Sequence, residues 1–111
     1  MNKEILLQYI KKSIHELEPT AEIILYGSRA RHQGTPESDW DLLILLDGQV
    51  NDERIDNIRH SLYEIEWEHD EVLCSVICSR EEWDSARYNA MPFHQNVVRD
   101  GIVLCKRRRA I

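Results

Sequence analysis

Two carboxylates, Asp39 and Asp41, open the apolar run Leu42-Leu43-Ile44-Leu45-Leu46. Residues two apart on a strand point to the same face, so both carboxylates project to one side and Trp40 to the other. Anions held that close repel each other unless a cation sits between them. Hard carboxylate oxygens, completed by phosphate oxygens, suit Mg²⁺. Upstream, Gly27-Ser28 ends a second short apolar run, Ile23-Ile24-Leu25-Tyr26. Glycine lets a phosphate oxygen approach the backbone, and the serine hydroxyl can add a hydrogen bond. If Ser28 caps a short helix carrying Arg29, Ala30 and Arg31, the free amides and dipole of that helix favour a phosphate as well. Either feature alone is commonplace, as a turn or as a solvated strand end; their combination is more specific.

The elements that must position these residues follow from periodicity. Ile5, Leu6, Tyr9, Ile10, Ile14 and Leu17 recur at helical spacing, which predicts a helix over Asn2–Leu17 stopped by Pro19. Ile23–Tyr26 and Asp39–Leu46 read as strands, with a loop around Gly34, Thr35 and Pro36 between them. Ile55, Ile58, Leu62 and Ile65 predict a helix from about Asp52 to about Trp67, capped by Asn51. Glu71–Cys78 reads as a third strand, and Ser79-Arg80-Glu81-Glu82 has the form of a capping box that starts a short helix. Pro92 begins another helix, Gly101 ends it, and Ile102–Cys105 is a last strand. This alternation predicts an α/β (α+β) domain with a small mixed central sheet and helices packed against it.

Composition narrows the function classes. A chain of 111 residues with 42% hydrophobic and 31% charged residues is expected to form one globular domain, here residues 1–105, followed by a basic tail at 106–111. No apolar run is long enough to span a membrane, and the polar start does not read as a signal peptide, so the expected compartment is the cytoplasm. The net charge of −6 argues against non-specific nucleic-acid binding, and Lys106-Arg107-Arg108-Arg109 is read as a solvated tail. Three cysteines without a Cys-x-x-Cys pair argue against a disulfide framework or a structural zinc site.

The stretch Gly27-Ser28-Arg29-Ala30-Arg31, a loop, then Ser38-Asp39-Trp40-Asp41-Leu42-Leu43 resembles the signature of the nucleotidyltransferase superfamily related to DNA polymerase β. It is most similar to the minimal, stand-alone (MNT-type) members. The resemblance is strong from Ile23 to Leu46 and looser beyond. It implies a palm-like fold and a nucleoside triphosphate bound by Gly27, Ser28 and Arg31. It also implies Mg²⁺, in one or two sites, ligated by the catalytic pair Asp39 and Asp41. Arg29 falls where the family has a second cation, and His32 replaces a usual glycine. The implied reaction is transfer of a nucleotidyl group to an acceptor hydroxyl. The implied partner is a separate helical HEPN-type protein, encoded beside it in toxin–antitoxin pairs. Drug-modifying members carry an added helical domain that this sequence does not show. The sequence is compatible with a homo-oligomer and does not fix one.

The family's third carboxylate, able to accept the acceptor's proton, comes from the next strand. Aligning the apolar run places it at or near Ser75, which offers no anion. Glu71 shares the strand face of Ser75 by period two and is the possible substitute, although four residues span ~13 Å of strand. A rival reading follows: a nucleotide-binding, partner-docking module with weakened catalysis.

Overall fold

The computed structural model describes residues 3–31, 33–35 and 38–106. Its elements are α1 (Lys3–Leu17), β1 (Glu22–Tyr26), β2 (Trp40–Leu46), α2 (Asp52–His69), β3 (Leu73–Ser79), α3 (Arg80–Trp83), α4 (Ala86–Asn89), α5 (Pro92–Asp100) and β4 (Ile102–Cys105). One mixed sheet holds the strands in the order β3-β2-β1-β4. β1 runs antiparallel to both β2 and β4, while β2 and β3 are parallel and therefore need the α2 crossover between them.

Side-chain alternation divides the core into two layers. On one face Ile23, Leu25, Trp40, Leu42, Ile44, Leu46 and Leu73 pack with Leu6, Ile10 and Ile14 of α1 and Ile58, Leu62 and Ile65 of α2. On the other, Ile24, Leu43, Leu45 and Cys78 pack with Trp83 and Val97, backed by Tyr26, Tyr88 and Phe93. The α5–β4 junction lies tight against β1: a Cβ on Gly101 would meet Val97 O at 2.5 Å and Ile24 Cγ2 at 2.8 Å. α1 and α2 are further joined by Arg54, which donates to both carboxylate oxygens of Glu18 at 2.9 and 2.6 Å.

Two of the caps read from sequence are present. Asn51 Oδ1 accepts from Arg54 N at 2.9 Å, and Ser79 Oγ accepts from Glu82 N at 3.0 Å. The helix expected after Ser28 does not form. Instead, Ala30 N and Arg31 N both donate to Gly27 O, at 3.1 and 3.2 Å, closing a turn. The short helix α4 is one the sequence reading lacked; Ser85 caps it, accepting from Tyr88 N. Asn2, within the expected span of α1, lies outside the described residues, as do residues 107–111 of the basic tail. No helix among the described residues is long and apolar enough to cross a membrane.

Candidate active site

Gly27 leaves β1 in a left-handed conformation, φ 75°, directly beside Asp41. A side chain at position 27 would overlap Oδ2 of Asp41 and stand 3.2 Å from its Cγ, so glycine permits the two elements to meet. Asp41 pairs with Tyr26 on β1 and with Cys74 on β3. Asp39 precedes the strand, and the Cys74 thiol points at its Oδ2 from 3.7 Å. Asp39, Asp41, Cys74 and Tyr26 therefore share one face, with the Gly27-Ser28 turn at its rim.

The electrostatics of this face are those of crowded acids. Burial, followed by the charge of Asp39, raises the Asp41 carboxyl above the usual range, and Arg31 opposes the rise. Burial, Asp41 and Cys74 push the Tyr26 phenol up to about 12. The Cys74 thiol is raised by burial and by both aspartates. A cation between the carboxylates relieves this repulsion. The donor set fits Mg²⁺: two hard carboxylates on one face, with a side-chain-free backbone beside them for phosphate oxygens to complete the shell. Among the described residues, no group of three His, Cys, Asp or Glu side chains converges as a ready-made metal cage.

Arg31 is the cation whose charge reaches Asp41. Its Nε donates to Gln33 Oε1 at 3.1 Å, and its Nη1 lies 3.9 Å from Asp100 Oδ2 on α5. Arg29 turns the other way. Its Nε and Nη2 donate to the Ser38 carbonyl at 3.2 and 2.9 Å, and its guanidinium stacks 4.2 Å above the Trp40 ring. It thereby ties the Gly27-Ser28 turn to the residue preceding Asp39. His32, expected to replace a glycine here, lies outside the described residues.

Two expectations about the third carboxylate are corrected. Glu71 does not join the aspartates: its Oε2 accepts from Trp40 Nε1 at 3.1 Å and lies 3.8 Å from Arg29 Nη2, on the Trp40 side. Trp40 and Asp41 are neighbours on a strand, so their side chains are on opposite faces. Ser75 is likewise on the far face, in register with Leu42. The β3 residue in register with Asp41 is Cys74. The sequence reading missed it because it aligned β3 by its apolar run, and a one-residue slip exchanges the faces of a strand.

A sheet of this order, with two acids and a Gly-Ser turn at one end of its central strands, defines a class of phosphate-handling α/β domain. The nucleotidyltransferase domain family model matches residues 7–100, and the chain belongs to that family. Solved structures that it resembles include chains of toxin–antitoxin complexes. A chain of a toxin–antitoxin crystal structure with AMP-PNP aligns with a TM-score of 0.65 at 21% identity, covering 90% of this chain and 73% of its own length. One from a tri-AMPylated Shewanella oneidensis HEPN toxin in complex with MNT antitoxin aligns at 0.60 with 15% identity, covering 95% and 73%. One from a toxin–antitoxin MntA–HpeT mutant, with two aspartates changed to glutamate, aligns at 0.58 with 17% identity, covering 96% and 74%. At these identities the likeness establishes the fold. No curated protein matches the sequence.

Proposed function

We propose that this domain transfers a nucleotidyl group from a nucleoside triphosphate to a hydroxyl on a separate protein partner of the HEPN type, releasing pyrophosphate. The observation that carries the reading is the abutment of Gly27 on Asp41, with Asp39 on the same face. It puts a phosphate-accessible backbone and two cation ligands within reach of one triphosphate. Mg²⁺ bound there supplies charge neutralisation across the phosphate oxygens. Asp39 and Asp41 hold it, Gly27 and Ser28 receive the terminal phosphates, and Arg31 swings from Asp100 toward the anion. Residues 1–105 form the transferring domain, 106–111 a basic tail, and the setting is cytoplasmic.

The test is calorimetric titration with a triphosphate. Affinity should depend on Mg²⁺ and fall sharply in the double variant Asp39→Asn/Asp41→Asn. Undiminished affinity in that variant removes the assigned role of the pair.

A second reading has its own observation. Cys74, in register with Asp41, is a weak proton acceptor while its thiol stays neutral, so among the described residues the face offers no general base besides the two aspartates assigned to the cation. On that reading the domain binds nucleotide and docks to its partner with little turnover. Release of labelled pyrophosphate in the presence of the partner separates the two.

A further inference from the structure

The geometry points to the outer face of α2 as the docking surface for a protein partner, one that presents an apolar pocket within a basic rim. This inference rests on the partner assignment made above and adds where that partner sits.

α2 turns Ile58, Leu62 and Ile65 into the core. On the side directly opposite are Tyr63 and Trp67, four residues apart and hence stacked along one helix face. Tyr63 is 62% exposed and Trp67 90% exposed. Neither forms a ring contact or side-chain hydrogen bond among the described residues, whereas Trp40 and Trp83 are both buried. Large aromatic side chains are the residue types that most often anchor protein interfaces, and Trp and Tyr are enriched at their energetic centres.

Charge decides the occupant. Asp56, Glu64 and Glu68 flank the aromatic pair, and all three are exposed. Arg59, exposed and four residues before Tyr63, lies on the same side, as does His60, 3.1 Å from Glu64, so three carboxylates against one guanidinium leave the rim net acidic. A second copy of this chain would bring acidic rim against acidic rim, at a net charge of −6 on each. Nucleic acid and anionic lipid meet the same repulsion. A basic protein surface meets attraction around its rim and apolar burial at its centre, the arrangement that speeds association and fixes register.

The experiment uses the full chain and the purified protein encoded beside it. With Trp40 and Trp83 buried, iodide quenching of tryptophan emission reports chiefly on Trp67. On complex formation Trp67 should lose iodide access. Trp67→Ala, with an unchanged far-ultraviolet circular dichroism spectrum, should weaken the complex by about 30-fold or more. Glu68→Lys should weaken it more at low salt than at high salt. If the complex forms but Trp67→Ala binds as tightly as the unmodified chain, the docking face is elsewhere and the partner assignment stands. If the free chain dimerises in sedimentation and Trp67→Ala makes it monomeric, the occupant is a second copy. If the unmodified chain forms no complex at all, the partner assignment itself fails and the docking face falls with it.

Discussion

Gly27 and Asp41 occupy adjoining space that admits no side chain on the glycine: an added Cβ would overlap Oδ2 of the carboxylate. The backbone at Gly27 is also left-handed, a conformation that alanine adopts at a cost. Gly27→Ala should therefore lose stability by about 1–3 kcal/mol in urea denaturation. It should also weaken triphosphate binding in calorimetry, because Asp41 has to move aside. A variant of native stability and native affinity would show that the turn and the carboxylate are not coupled.

The register of β3 predicts opposite outcomes for adjacent substitutions. Cys74→Asp places a third carboxylate in register with Asp41. It should raise the rate of labelled-nucleotide transfer by about 10²–10⁴-fold, the usual contribution of a general base. Ser75→Asp places its carboxylate in register with Leu42, on the helix-packed face. It should leave transfer slow and cost stability instead. Acceleration by Ser75→Asp, without acceleration by Cys74→Asp, would contradict the register.

Arg29 is predicted to act through loop geometry. Arg29→Ala removes the stacking on Trp40 and two hydrogen bonds to the Ser38 carbonyl. The expected loss is about 2 kcal/mol in stability, with a rise in KM larger than any fall in kcat. Glu71→Gln keeps an oxygen for Trp40 Nε1 and loses only the longer approach to Arg29. It should cost no more than about 1 kcal/mol. A collapse of kcat in Glu71→Gln would restore Glu71 to the reaction.

Alkaline pH should destabilise the fold through Cys78. Burial and the charge of Glu82 push its thiol from 9.0 up to about 11. The unfolded thiol ionises first, so between these values unfolding releases a proton. The contribution is fully present below pH 9.0 and is lost as pH rises toward about 11. Melting temperature measured across that window should fall, and Cys78→Ala should flatten that part of the curve. A further drop, over 10.0 to about 12, is expected from Tyr26.

Much of this arrangement was legible in the sequence, because local rules decide it. The apolar spacing of α1 and α2, the Asn51 cap and the Ser79 capping box each depend on a few neighbouring residues. The opposed directions of Trp40 and Asp41 follow from strand alternation alone. What stayed hidden depends on partners distant in the chain. Ser28 reads as a helix cap, yet the chain turns back there because Gly27 is left-handed and Arg29 reaches across to Ser38. Glu71 reads as a candidate ligand until the Trp40 indole claims it. Cys74 carries no signal, because the pairing of parallel strands is set by the α2 crossover and not by residues of β3.

The sheet order also bears on how this chain is made. β1 leaves the ribosome well before β4, yet the two are neighbours in the sheet. Until residues 102–105 emerge, one edge of Ile23-Ile24-Leu25 keeps unpaired amides and carbonyls. An open strand edge of that apolar composition is a template for aggregation. Closing it brings together segments separated by most of the sequence, which is slow relative to forming the helices. During synthesis, then, the nascent chain is most vulnerable just before β4 appears, and slower translation over that stretch prolongs the exposure.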